Sequence, residues 1–290
     1  MQRIVIHADD VAMCHGANTA FVELSRLGTI SSGSVMVPCP WFVEMAAIAA
    51  ADPELDIGVH LTLNAEQQGY RWAPLSRTSQ AAGLTDDLGQ CWGSVADVRA
   101  HAHPDAVEAE WRAQIDRAIE SGIDVTHLDA HMGSALAPEW CDRYIALGVE
   151  YAIPVLMPAT IGVYGPNNHL ADVTDDQFEP FVQQARDAGM PIFDVVLETD
   201  FGRLRGAGHD YPSTLRSTAV DLVYCAFHPC APGPGEIEVI EPDAHHVRVD
   251  EYELFSTADW SAWLTDQPFE VIGMRGFRDA ARRQVTPGAC

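Results

Sequence analysis

Strand-like and helix-like runs alternate along this chain from end to end, and that alternation limits the fold more than any other feature. Arg3 to Ala8 reads as a strand, and Ala17, Ala20, Phe21 and Leu24 then recur at helical spacing until Gly28 stops the run. Ser34 to Val37 is the next strand, Phe42 to Ala51 the next helix and Ile57 to Leu63 the third strand. Ala106 to Ser121, closed by Gly122, places Val107, Trp111, Ile115 and Ile119 on one helical face. Val125 to Asp129 is the fourth strand. Further on, the pattern predicts strands at Tyr151 to Pro154, Ile192 to Leu197, Leu222 to Phe227 and Val271 to Gly273. A helix is expected over Gln177 to Ala188, and others starting near Pro212, Glu251 and Phe277. Regular βα units imply a parallel sheet with helices outside. Units in this number, in 290 residues, fit a closed barrel better than an open Rossmann sheet, and no GxGxxG follows the first strand. The expected fold class is therefore α/β: a TIM-like, irregular (β/α) barrel. No repeat or linker divides the chain, so 1–290 reads as a single domain with long loops at about 64–104 and 154–175.

Polar residues interrupt this pattern at particular places. His127-Leu128-Asp129-Ala130-His131 would put His127, Asp129 and His131 on one face of an extended segment. Asp9-Asp10 closes the first apolar run, although alone it also fits a turn or a helix N-cap. His60 sits inside Ile57 to Leu63, where a lone histidine also fits a satisfied core position. Glu198, Asp200 and His228 follow later strands. Each lies at or near a strand's C-terminal end, the catalytic face of a barrel. Carboxylates and imidazoles gathered there point to a divalent-metal hydrolase.

Composition narrows the partners. The net charge of −25 leaves no basic footprint for nucleic acid and disfavours an acidic membrane surface or a highly anionic ligand. No apolar run is long enough for a membrane helix, and Met-Gln-Arg-Ile-Val-Ile-His has no signal-peptide architecture, so the expectation is a soluble cytoplasmic protein. Cys14, Cys39, Cys91, Cys141, Cys225, Cys230 and Cys290 form no CxxC pair and read as reduced thiols.

Several segments together resemble the carbohydrate deacetylases of the YdjC/ChbG type. They are Val5-Ile6-His7-Ala8-Asp9-Asp10, Gly28-Thr29-Ile30-Ser31-Ser32-Gly33-Ser34, Gly58-Val59-His60-Leu61-Thr62-Leu63, Thr126-His127-Leu128-Asp129-Ala130-His131 and Phe227-His228-Pro229. The resemblance covers most of the chain and implies a TIM-like barrel that removes the acetyl group from an N-acetylated amino sugar or oligosaccharide. By this analogy Asp10, His60 and His131 hold one divalent ion, with zinc or magnesium ahead of manganese, nickel or cobalt. Asp9 is then the general base and His228 the candidate acid, protonating the leaving amine or steadying the oxyanion. His127 and Asp129 orient ligands or touch substrate. Trp41 and Trp72 become candidates to stack on the sugar, although these and Tyr70 and Trp92 equally suit packing of the long loops. The implied partner is a small saccharide, and a homodimer stays open. Val11-Ala12 replaces the common Phe-Gly, His7 the common Asn, and Met132-Gly133-Ser134 further histidines, so the pocket is expected to differ.

Two other readings remain at this stage: a barrel amidohydrolase or phosphoesterase with two metals, using His7 and His127, and a catalytically silent sugar-binding homologue. Arg248 to Glu253 either braces the late helix or reaches the site, the simpler reading being an exposed, charged helix start, and His245-His246 reads as a solvated turn.

Overall fold

Ile4, Val5 and Ile6 are wholly buried, as expected of a central strand of a parallel sheet covered on both faces. A computed structural model of the chain describes residues 1–164, 169–233 and 235–285. Its elements run β1 (Arg3–Val11), α1 (His15–Leu27), β2 (Ser32–Val35), α2 (Phe42–Ala51), β3 (Ile57–Leu61), α3 (Val95–His101), α4 (Pro104–Glu120), β4 (Leu128–Ala130) and α5 (Cys141–Tyr151). They continue with α6 (Asp175–Asp187), β5 (Val195–Glu198), α7 (Tyr211–Arg216), β6 (Leu222–Phe227), α8 (Ile237–Ile240), α9 (His245–Phe255), α10 (Ala258–Thr265), β7 (Glu270–Val271) and α11 (Arg275–Val285).

All the strand pairings are parallel, in the order β4-β3-β2-β1-β6-β5, and β7 pairs with the first residues of β1. Between β4 and β5 the ring is carried by irregular backbone. Leu128 bridges to Val155 and Pro158 to Phe193, with Leu156 N–H donating to the Leu128 carbonyl and Phe193 N–H to that of Met157. The fold is thus an α/β barrel of parallel strands with helices around it, as the alternation predicts.

Several boundaries differ from expectation, each for a local reason. Tyr151 is the last residue of α5, not a strand, and Ala152 in the left-handed region ends that helix. Residues 155–158 take the strand's place, where Pro154 and Pro158 remove ladder donors. The segment 64–104 is not structureless: it holds α3, a 3-10 turn at Gln80–Ala82, and bridges Asn64 to Trp92 and Thr85 to Cys91. Of the loop expected at 154–175, residues 165–168 lie outside the described part. α9 begins at His245, so His245-His246 opens a helix, and Arg248 and Glu251 are buried instead of exposed. The six described cysteines are free thiols, all buried; Cys290 lies outside the described residues. Among the described residues no helix is long and apolar enough to cross a membrane.

Candidate metal and catalytic site

Neighbouring residues on a strand point to opposite faces, so Asp9 and Asp10 should not share a site. Here Asp10 has φ 57 and Ala12 φ 75, and the β1–β2 register slips between Ala8 and Val11. This irregular end of β1 aims both carboxylates into the barrel mouth. Strand register does the rest. His60 on β3 stands directly beside Asp129 on β4, and His7 on β1 beside Ser32 on β2. His131 follows β4 immediately, where Met132 (φ 52) and Gly133 (φ 64) turn the chain away.

Asp10, His60 and His131 offer ligand atoms within 4.8 Å of one another. His60 Nδ1 lies 2.9 Å from Asp129 Oδ1, and His131 Nε2 lies 2.8 Å from Glu66 Oε2. Carboxylates only accept, so those two nitrogens carry the protons. The other two nitrogens face one atom: Asp10 Oδ1 is 3.4 Å from His60 Nε2 and 3.1 Å from His131 Nδ1. Lone pairs meeting at such distances need a proton or a cation between them. In the absence of metal, protons serve. Burial alone would lower His131, but the charges of Glu66 and Asp10 outweigh it and raise it to about 9. Against the same penalty of burial, Asp129, Asp9 and Asp10 raise His60 well above the usual imidazole value. Asp10 is itself held well below the usual carboxylate range: burial opposes this, but Arg248 and His131 prevail. A buried Asp/His/His set of converging lone pairs can hold a divalent ion.

Arg248 Nη1 lies 2.8 Å from Asp10 Oδ2, and the guanidinium grips Glu241 through two contacts of 2.7 Å. It fixes which oxygen of Asp10 faces the histidines. Asp9 and His228 stand at the more open edge, their side chains 14% and 13% exposed against 2–5% for the Asp10, His60 and His131 set. Asp9 Oδ2 is 3.7 Å from His228 Nε2. His228 Nδ1 lies 2.9 Å from Thr199 Oγ1, whose own proton goes to Glu251 Oε1 at 2.8 Å. His228 therefore carries its proton on Nδ1 and turns the Nε2 lone pair toward Asp9. Burial lowers it to about 4, so the ring is neutral near pH 7.

A cavity of about 360 Å³ opens over this group, within the range of small-molecule sites. Asp9, Asp10, Glu66, His131, Tyr164, Glu198, Phe201, His228, Glu241, Asp243 and Arg248 are among its lining residues. Of the residues singled out from sequence, Asp9, Asp10, His60, His131, His228, His127 and Asp129 gather here or just beneath, and Glu198 lines the wall. Trp72 is buried with its ring 6.1 Å from that of His131, behind the cavity. Trp41 packs on His15 at 5.1 Å, away from the lining residues. Trp92 stacks on His101 and Tyr70 donates to the Met13 carbonyl, both of them loop-packing roles. Sequence reasoning missed Glu66, Tyr164, Thr199, Glu241 and Tyr224; of the readings open for Arg248 to Glu253, Arg248 reaches the site and the exposed helix start does not hold for Arg248 or Glu251.

A family model described as YdjC-like protein matches residues 3–266. A carbohydrate deacetylase from Brevibacillus brevis is 29% identical over 61% of this chain and 67% of its own. Another, from Thermus thermophilus, is 32% identical over 54% of each chain. The matches thus span between half and two thirds of these relatives' length. A solved structure of a cellobiose-phosphate cleavage protein from Enterococcus faecalis superposes with a TM-score of 0.75 at 18% identity, over 95% of this chain and 98% of that one. At that identity it shows the shared fold alone.

Proposed function

The chain belongs to the YdjC-like family, and from that premise we propose that it is a metal-dependent hydrolase removing the acetyl group from an N-acetylated amino sugar or oligosaccharide. In this reading residues 1–290 act as one domain. The observation that carries it is the convergence of Asp10, His60 and His131 on one point at the closed side of a sugar-sized cavity whose open side carries Asp9 and His228. Relatives named carbohydrate deacetylase supply the substrate class.

A divalent ion held by Asp10, His60 and His131 supplies Lewis acidity to the acetyl carbonyl. The protein's own groups manage orientation and protons. Asp129 and Glu66 fix the two imidazoles through their outer nitrogens, and Arg248 fixes Asp10. Asp9 takes a proton from the attacking water as its oxygen adds to the carbonyl carbon. His228 enters neutral, so it acts as an acid only after receiving that proton at Nε2, which faces Asp9 Oδ2. It then returns the proton to the nitrogen as the C–N bond breaks, leaving acetate and an amine. The Thr199–Glu251 pair holds the ring's tautomer throughout.

The test is acetate release from a panel of N-acetylated mono- and oligosaccharides, with protein stripped of metal and resupplied one ion at a time. Acetate is expected only with metal, is lost in Asp10→Ala, and falls by roughly 10²–10⁴ in Asp9→Asn. Full activity in Asp10→Ala, or release from metal-free protein, would sink the reading.

A further inference from the structure

Just below the cavity lies a second group of metal-competent side chains, of which the reaction above uses only Asp129. His7 from β1, His127 from the residue before β4 and Asp129 from β4 bring ligand atoms within 4.8 Å of one another, all of them buried. Their hydrogen bonds leave one atom unexplained. Thr126 gives its hydroxyl proton to Asp56 Oδ1, so at 2.9 Å from His127 Nδ1 its oxygen accepts that ring's proton. His127 Nε2 is then a bare lone pair. It is fully buried, nothing donates to it, and Asp129 Oδ2 faces it at 3.8 Å. An imidazole acceptor facing a carboxylate oxygen with nothing between them is unfavourable, because a buried polar atom without a partner has lost its water and gained nothing in exchange.

The surroundings repeat the pattern. His7 Nδ1 lies 2.8 Å from Ser32 Oγ, while its Nε2 lies 3.0 Å from Ser34 Oγ, 3.1 Å from Asp129 Oδ2 and 3.2 Å from Asp9 Oδ1, and so carries a proton that an incoming ion would displace. Asp9 Oδ1 is a second buried atom without a donor in hydrogen-bonding geometry. Ser34 and Tyr224 each donate to Asp129 Oδ2, at 2.9 and 3.0 Å, but neither reaches His127 Nε2. The two nitrogens and the Asp129 oxygen thus lie within 4.8 Å of one another, His127 Nε2 among them unpartnered, and Asp9 Oδ1, also unpartnered, lies 3.2 Å from His7 Nε2.

We propose that His7 Nε2, His127 Nε2 and Asp129 Oδ2 form a second divalent-cation site, with Asp9 Oδ1 as the nearest further oxygen. Two imidazoles and carboxylate oxygen form a donor set suited to zinc. An ion here lies behind Asp9 and leaves Asp9 Oδ2, the oxygen turned to His228, for the cavity. Asp129 then serves both sites: Oδ1 orients His60 and Oδ2 takes the second ion. The inference goes beyond the deacetylase reading and does not depend on the substrate.

Zinc alone is the probe. Stripped protein titrated with zinc, dialysed and measured by plasma mass spectrometry is expected to retain two ions per chain. Asp10→Asn should retain one, His7→Asn one and His127→Gln one, with circular dichroism confirming that each is folded. A cobalt titration of the unmodified protein, followed by visible absorption, needs no variant and should show two successive break points. A single ion and a single break in the unmodified protein would overturn the proposal, as would two ions retained in whichever of the His7 and His127 variants folds. Because the readout is stoichiometry, absence of acetate release would leave this result standing, and the reverse.

Discussion

Individual residues decide this site through geometry that single positions do not announce. Asp9-Asp10 was visible as a pair, but alternation along a strand would have sent one carboxylate away from the mouth. The left-handed Asp10 (φ 57) reverses that, at a cost of roughly 1–2 kcal/mol for a residue with a Cβ. Glu66 was invisible for a different reason: it sits in a long irregular segment, and only the closed chain sets it 2.8 Å from His131 Nε2. Its effect on metal binding can be measured. Below about pH 9 a proton occupies His131 in the metal-free protein, and an incoming ion must displace it. Zinc affinity should therefore climb with pH and level off once His131 and His60, which is also raised, have both lost that proton, no lower than about pH 9. Glu66→Gln removes the main charge that raises His131, so the levelling point should move to lower pH. The plateau should also fall by about 10–100-fold, the usual effect of losing a partner of a ligating histidine. Isothermal titration across pH 6–10 measures both. An unchanged curve would mean that Glu66 neither charges nor orients His131.

At the scale of elements, the long periodic helices and apolar strands were legible because burial on one face or both imposes their patterns. Phe42–Ala51 and Leu222–Phe227 stand where the sequence puts them. What failed was short or polar: the proline-flanked bridge at 155–158 has no strand pattern, and the buried face of α9 carries Arg248 and Glu251, for which a solvent-exposed helix start is the simpler of the two readings the sequence allows. A buried charge looks like a surface charge until its partners are in place. One glycine illustrates how elements set the site. A Cβ on Gly58 would come within 2.6 Å of both the ring and the carbonyl of His127, so only glycine lets β3 lie this close to the segment entering β4. That closeness places His60 beside Asp129. Gly58→Ala should cost about 1–3 kcal/mol, the usual range for overpacking, read from urea unfolding. It should also weaken zinc binding, because pushing β3 away moves His60 off Asp129. Undiminished stability and affinity would show that the strands can part without disturbing the site.

For the whole molecule, alternation identified the barrel, and charge sets an expectation about what its cavity disfavours. The net charge of −25 is not only surface dressing. Glu66, Glu198, Glu241 and Asp243 line the cavity along with Asp9 and Asp10, and Arg248 already spends its guanidinium on Asp10 and Glu241. Apart from the proposed ion, a phosphate group entering here meets carboxylates, and among the described lining residues the one arginine, Arg248, is already engaged, whereas an ammonium leaving as product is stabilised. At separations of several ångströms and an effective dielectric near 20–40, each such repulsion is worth on the order of 1–2 kcal/mol. An N-acetylated amino sugar should therefore be turned over with kcat/KM at least about tenfold above that of its 6-phosphate, since 1.4 kcal/mol is a factor of ten. The gap should narrow as sodium chloride rises from low salt to about 0.5 M, because screening acts on the approach of the charged sugar and not on the chemistry. Equal turnover of both sugars, or a preference for the phosphate at every ionic strength, would mean that Arg248 releases its carboxylates to the substrate. The acidic wall would then be a feature of the empty cavity alone.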